Sequence, residues 1–378
     1  MAAEVIFWLS AGIVSYVYAG YPLLLWLLRL AFSRPVKKQP FEPYVSLLVA
    51  AYNEADVIEE KIRNALALDY PADRLEIVIA SDGSTDGTAE VARSLVERIG
   101  AGSRVRVLAY PKNRGKLAIL NDSIPQLRGE IVAFSDASSM LAMDSIRQLM
   151  AHFADPDVGA ASGVYRVQEK EQADLGKQED FYWKYETFLK VQEAALGSVL
   201  GAHGSLYAIR KALYPFPGPG TINDDYIIPV RILQNGYRVS YEPAAVAYER
   251  AHEMGGFSRR VRIMTGNFEQ LREIKGLLWP PRLLALFFFL SHKAGRLAVP
   301  LAMLALAVSN AFLLRAPLYF RLGCLQLLFY GLVLLGGIRP LKLKILRLPY
   351  YFCMINAAAF LGIYHALAGK RQLAWKHD

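Results

Sequence analysis

The chain predicts an α/β fold, a doubly wound and mainly parallel sheet, with transmembrane helices at both ends. Three observations carry that expectation. Short apolar runs alternate with helix-spaced segments between about Tyr44 and Asp136. Three of those runs end in acidic or amide residues. The 54% hydrophobic content is too high for an ordinary soluble enzyme, yet the centre is charged and mixed. The apolar excess therefore lies at the ends, in runs long enough to cross a bilayer.

From Val5 to Phe32 the chain is almost continuously apolar, with Arg29 its one charge. Arg34, Lys37 and Lys38 follow, and clustered basic residues beside a span favour the cytoplasm. The run is longer than a signal-peptide core and no small-residue cleavage site follows, so it reads as a retained anchor over residues 1–38.

The soluble centre then unfolds in order. A strand from Tyr44 to Ala51 runs into Tyr52, Asn53 and Glu54, and a helix with Val57, Ile62 and Leu66 on one face follows. The second strand, Leu75 to Ala80, ends in Ser81, Asp82, Gly83 and Ser84. A helix from Thr88 to Ile99 leads to a strand from Val105 to Ala109, then to Asn113, Arg114, Gly115 and Lys116. A helix from Leu117 to Leu127 precedes the strand Ile131 to Phe134, which ends at Asp136 and Ser138.

This order implies parallel strands, and ligands of such sheets bind beyond the carboxyl ends of the strands. A carboxylate at that edge can hold a divalent cation, and the cation a diphosphate. Asp136 and Ser138 also suit a helix N-cap, and one Asp-Gly-Ser is ordinarily a turn. Three polar strand ends on one edge point to a site, and Lys116 adds the opposite charge that a diphosphate needs.

In the second half, Tyr182 to Glu186 reads as helix packing. Gly201 to Arg210 reads as a glycine-rich loop entering a strand, with His203 a structural histidine and Gly204 permitting close ligand approach. The turn Pro217 to Gly220 delivers Asn223, Asp224 and Asp225 to a helix from Tyr226 to Leu233. Acids there favour the helix N-terminus electrostatically, and adjacent carboxylates also raise one another's pKa. Arg259, Arg260 and Arg262 form either a membrane-facing patch or a substrate contact.

Leu283 to Leu290, after Trp279-Pro280-Pro281, is too short to span and reads as an interfacial helix within residues 276–294. Spans are expected at Leu297 to Leu314, Leu318 to Ile338 and Pro349 to Ala368. The loop with Arg339, Lys342, Lys344 and Arg347 reads as cytoplasmic. Three crossings would then leave the basic tail from Lys370 outside, against its charge, so either the rule fails at this end or one apolar segment does not cross. Cys324 and Cys353 fall inside spans and form no metal cluster. The net charge of +9 suits anionic lipid and an anionic substrate. The basic residues cluster at membrane borders rather than on an aromatic-bearing face, which weighs against nucleic acid as a partner.

Taken together, Tyr52-Asn53-Glu54, Asp82-Gly83-Ser84, Asn113 to Lys116 and Asp136-Ala137-Ser138 resemble a family 2 glycosyltransferase with the GT-A fold. Anchors at both ends point to the subgroup of bacterial cellulose, hyaluronan and poly-N-acetylglucosamine synthases. The resemblance runs from Val45 to about Asn267. It implies that Tyr52, Glu54 and Asp82, with Asn53 between them, hold the uracil and ribose of a UDP-sugar. Asp136, first acid of the family's Asp-x-Asp, would hold Mg or Mn against the diphosphate, with Ser138 in the second acid's place. The loop with His203 and Gly204 would bind the acceptor, and Asp225, beside Asp224, matches the family's general base. Arg262 matches the arginine of Gln-x-x-Arg-Trp, while Arg259 and Ile263 occupy the Gln and Trp places.

The resemblance thus implies an inverting transferase in exopolysaccharide or envelope glycan synthesis. The donor is a UDP-sugar and the acceptor a saccharide or lipid-linked sugar. Its setting is a multi-pass inner membrane, with a cytoplasmic domain over residues 39–275 and a membrane region over 295–378. Membrane lipid and other envelope or exopolysaccharide proteins are the implied partners. In the synthases the missing Trp packs against the acceptor, so Ile263 weighs against a processive synthase that exports its polymer. Few charges in the spans, together with Asp225, weigh against a non-catalytic nucleotide-sugar-binding scaffold or transporter.

Overall fold

The computed structural model describes residues 1–167, 174–218, 221–249, 257–338 and 344–370. Eight strands form one sheet: β1 (Val45–Ala51), β2 (Leu75–Asp82), β3 (Val105–Tyr110), β4 (Ile131–Asp136), β5 (Met140–Leu141), β6 (Val158–Val167), β7 (Tyr207–Arg210) and β8 (Arg238–Glu249). Their order is β3-β2-β1-β4-β7-β6-β8-β5. The first four are mutually parallel, as the βαβα alternation predicts, and β7 pairs antiparallel to β4.

β1 and β2 are buried at every position. Strands covered on both faces read as continuous apolar runs, which is why they were legible. Successive side chains alternate faces, and the core divides accordingly. Leu48, Ala50, Val78, Val132 and Phe134 enter one cluster with Ile119, Ile228 and Ile232. Leu47, Val49, Ile77, Ile79 and Ala133 enter the other with Ile58, Ile62, Leu95 and Ile146.

Among the described residues, four helices are long and apolar enough to cross a membrane: Ala2–Phe32, Leu283–Leu313, Pro317–Ile338 and Leu348–Leu367. The second takes in the segment expected to be a short helix of its own. Leu283 to Leu290 is the start of a 31-residue helix, because neither Pro nor Gly interrupts it before Gly295. Its Phe288 and Phe289 are buried with Tyr21 and Leu25 of the first helix, in the same core as β1 and β4. Lys293 and Arg296 accordingly lie on this candidate span. The side chains of Lys344 and Arg347, the loop at Arg339 and Lys342, Gly220 and the tail after Lys370 lie outside the described residues. Cys324 and Cys353 are free.

Candidate active site

Register brings the polar strand ends together. Ala50 pairs with Asp136 and Ala51 with Ser81, so β1, β2 and β4 finish at one edge. Because β7 runs antiparallel to β4 with Tyr207 opposite Phe134, the loop before Tyr207 arrives at that same edge. The Phe134 and Tyr207 rings stack there, 4.6 Å between centroids.

On the first side, Tyr52, Asn53 and Glu54 are partly buried at the end of β1. Asn53 adopts a left-handed φ of 54°, a conformation that asparagine tolerates better than most residues. Its Oδ1 accepts from the Thr85 N–H at 2.9 Å, and the Glu54 N–H donates to Thr88 Oγ1 at 2.9 Å. Asp82 is fully buried, and its carboxylate accepts from Arg114 N at 2.9 Å and Gly115 N at 2.7 Å. It therefore fastens the loop that carries Lys116. The turn beneath is specific for glycine: Gly83 has φ +65°, and a Cβ would lie 2.3 Å from Asn113 N.

Lys116 is the junction of the site. Its Nζ lies 2.7 Å from Asp136 Oδ1 and 3.3 Å from Asp224 Oδ2. Burial would lower its pKa, but the Asp136 and Asp224 carboxylates outweigh that and hold it above the usual lysine range. Asp224 also accepts from the Tyr207 hydroxyl at 3.1 Å.

Asp225 is held by a different donor. Gly204 N donates to its Oδ2 at 3.1 Å, and a Cβ on Gly204 would lie 3.7 Å from Asp136 Oδ2. Gly204 thus lies beside both carboxylates. Burial and the neighbouring Asp224 push the Asp225 pKa up to about 6, against the pull of Lys116, Lys190 and Lys293. A carboxyl tuned towards neutrality suits proton abstraction.

The remaining expected residues divide. His203 is buried, with Nε2 3.2 Å from the Tyr241 hydroxyl and its ring edge-on to Trp183. Burial and the nearby Lys190 hold its pKa well below the histidine range, so it packs as a neutral ring. Arg262 lies within electrostatic reach of Asp224, Asp225 and Asp136, and burial and then Arg259 lower its pKa. Its helix, Phe257–Glu269, is tied to the base helix through Asn223 Nδ2, which donates to Ile263 O at 3.2 Å. Arg260, by contrast, turns to the last membrane helix and donates to the Tyr351 hydroxyl at 3.3 Å. Ser138 is partly buried, two residues past Asp136.

Two lysines were missed. Lys61 is fully buried and donates to Ser135 Oγ at 2.7 Å and to Ser139 O, bracketing Asp136 from below. Burial brings its pKa down to about 7, against the opposing pull of Asp136 and Glu249. The signal was present, since Lys61 falls on the apolar stripe of Ile58, Ile62 and Ala65. Lys190 is buried among Glu186 and Glu193, which share its helix face. Helical spacing alone does not say which face of so polar a helix turns inward.

Among the described residues no group of three or more His, Cys, Asp or Glu side chains could hold a metal ion. A divalent cation still fits the donor set on one condition, that phosphate and water oxygens complete its shell around Asp136, as magnesium-like ions accept. Gly204 leaves the second Asp136 oxygen uncovered on that side.

Residues 43–265 match the family model described as glycosyltransferase like family 2. The poly-beta-1,6-N-acetyl-D-glucosamine synthase of Staphylococcus aureus is 31% identical over 234 residues, 60% of this chain and 55% of that protein. The Staphylococcus epidermidis synthase of the same name is 28% identical over 234 residues. The chain thus spans about half the length of these curated relatives. A solved mannosyltransferase from Pyrobaculum calidifontis, in complex with GDP-Man and Mn2+, overlays with a TM-score of 0.74 at 26% identity. That overlay covers 98% of this chain and 100% of the other. The sheet, the flanking helices and these likenesses are those of the GT-A fold, and the chain belongs to the glycosyltransferase like family 2.

Proposed function

We propose that this chain is an inverting hexosyltransferase that uses a UDP-sugar at the cytoplasmic face of the membrane. An acceptor hydroxyl gives its proton to Asp225 and attacks the anomeric carbon from the face opposite the diphosphate. The new C–O bond forms as the bond to the diphosphate breaks, and UDP leaves with the electron pair. Lys116 and Arg262 stabilise the charge that builds on the leaving diphosphate, the term that ordinarily dominates such catalysis. Asp136 would hold a Mg or Mn ion, which supplies Lewis-acid neutralisation of that diphosphate when bound. Tyr52, Asn53, Glu54 and Asp82 line the nucleoside side, and Ser138, His203, Gly204 and Arg259 belong to the diphosphate and acceptor surroundings.

The observation that carries this reading is that Gly204 lies beside both Asp136 and Asp225. In this reading Asp136 is the acid on the diphosphate side and Asp225, its pKa raised to about 6, is the base. The acceptor is a saccharide or lipid-linked sugar, and we favour addition of one or a few residues, since Ile263 supplies no aromatic platform. GDP-mannose is the second donor reading, favoured by the whole-chain likeness to the mannosyltransferase.

The test supplies purified protein in lipid nanodiscs with labelled UDP-GlcNAc, UDP-glucose and GDP-mannose, each with free and lipid-linked acceptors, and sizes the product. Short products from a UDP-sugar support the reading. Transfer from GDP-mannose alone selects the second donor, and long polymer from one enzyme encounter replaces the short-product reading with a processive synthase.

A further inference from the structure

The base helix Asp224–Gln234 contains a proline at position 229. In an α-helix the N–H of residue i bonds the carbonyl of residue i−4, and proline has no N–H. Pro229 therefore leaves the Asp225 carbonyl without its helical donor. The vacancy is filled from outside, because Ala202 N donates to Asp225 O at 2.7 Å. Two residues on, Gly204 N donates to the Asp225 carboxylate at 3.1 Å. Loop 201–204 thus grips the backbone and the side chain of one residue.

The far side of the loop is held as well. Lys190 is 5% exposed, and its ammonium donates to Gly201 O at 3.2 Å and Ala202 O at 3.4 Å. It lies 5.8 Å from the centroid of the Tyr241 ring. Gly201 has φ +84°, and a Cβ there would meet Tyr226 Cδ2 at 2.9 Å, so the loop lies flush on the base helix. A buried lysine is costly unless its donors are used, and here they point at the loop that touches the base.

We propose that Lys190 and Pro229 are positioning residues of the transfer reaction, which together lock loop 201–204 onto Asp225 and so fix the direction of its carboxylate. This rests on Asp225 being the base. Pro229 acts by removing a competing donor and Lys190 by anchoring the loop's carbonyls, while its charge also faces Asp225. The charged and titratable groups around Asp225 are Asp224, Lys116, Lys190, Lys293, Arg262 and Tyr207. Around Lys190 they are Lys293, Glu186, Glu193, Asp225, His203 and Tyr241.

The test compares Lys190→Met, Lys190→Arg and Pro229→Ala for steady-state transfer and its pH profile, with Lys190→Gln in place of Lys190→Met if the latter does not fold. Both Lys190→Met and Pro229→Ala should lower kcat by about 10- to 100-fold, the scale of a misplaced catalytic group, with donor KM within about twofold. Lys190→Met should also move the acid limb to higher pH, whereas Pro229→Ala, which changes no charge, should leave it in place. Lys190→Arg should recover most of the lost rate. Unchanged kcat in both variants, or equal losses in kcat and donor affinity with a fixed acid limb in Lys190→Met, would overturn the proposal. Asp225→Asn separates the two readings: turnover in that variant removes the base assignment itself, and its silence leaves Lys190 and Pro229 judged on their own results.

Discussion

The Lys116 ammonium stands 2.7 Å from Asp136 Oδ1 and bridges on to Asp224, so one cation joins the diphosphate side of the site to the acid beside the base. Removing one partner of such a group leaves buried carboxylates uncompensated. Lys116→Met should therefore lower kcat by roughly 10²- to 10³-fold. It should also shift the acid limb of the rate profile upward, because the Lys116 charge pulls the Asp225 pKa down. A pH series on the variant reads both effects, and a fixed limb would sink the coupling.

Activity should rise through a limb near pH 6. The base works as the ionised carboxylate, and its pKa is raised to about 6, so kcat/KM should fall about tenfold per unit below that value. Asp225→Asn should abolish transfer while donor-nucleotide affinity stays within a few-fold. Substantial turnover in a folded Asp225→Asn protein would refute the assignment.

Asp136→Ala should remove metal-dependent nucleotide binding, since no second acid stands at position 138. Titration of UDP with and without Mn2+ measures this directly. Wild-type turnover that is indifferent to EDTA would contradict a metal on Asp136.

Gly83→Ala should destabilise the fold by roughly 2 to 4 kcal/mol, combining a left-handed backbone penalty with overpacking. The added Cβ would strike the backbone at Asn113 and displace the loop that Asp82 holds. Denaturant unfolding together with nucleotide affinity checks it, and a loss of stability without a loss of affinity would show that the loop tolerates the shift.

Arg262→Ala should cost about 10²-fold in rate and Arg259→Ala far less, because Arg262 lies within electrostatic reach of three site carboxylates. Equal small losses at both positions would return these arginines to the membrane-patch reading.

Much of this was legible in the residues. Continuous apolar runs marked β1 and β2, since strands covered on both faces need no polar alternation. The polar residues that follow them, and the order of the motifs, marked the edge and the family before any coordinates. Local rules also placed Asp224 and Asp225 in the first turn of their helix. Which groups meet is set by the docking of the elements. The antiparallel entry of β7 brings Gly204 beside both Asp136 and Asp225, across gaps of 68 and 21 residues that no period spans. Lys190 and the Asp225 carbonyl freed by Pro229 converge on loop 201–204 only after the helices dock. The fate of Leu283 to Leu290 was likewise a packing outcome, since its phenylalanines are drawn into the domain core and the helix continues through them. Local sequence sets propensity and pattern over a few residues, whereas a site is made by long-range burial, and burial is a property of the whole fold.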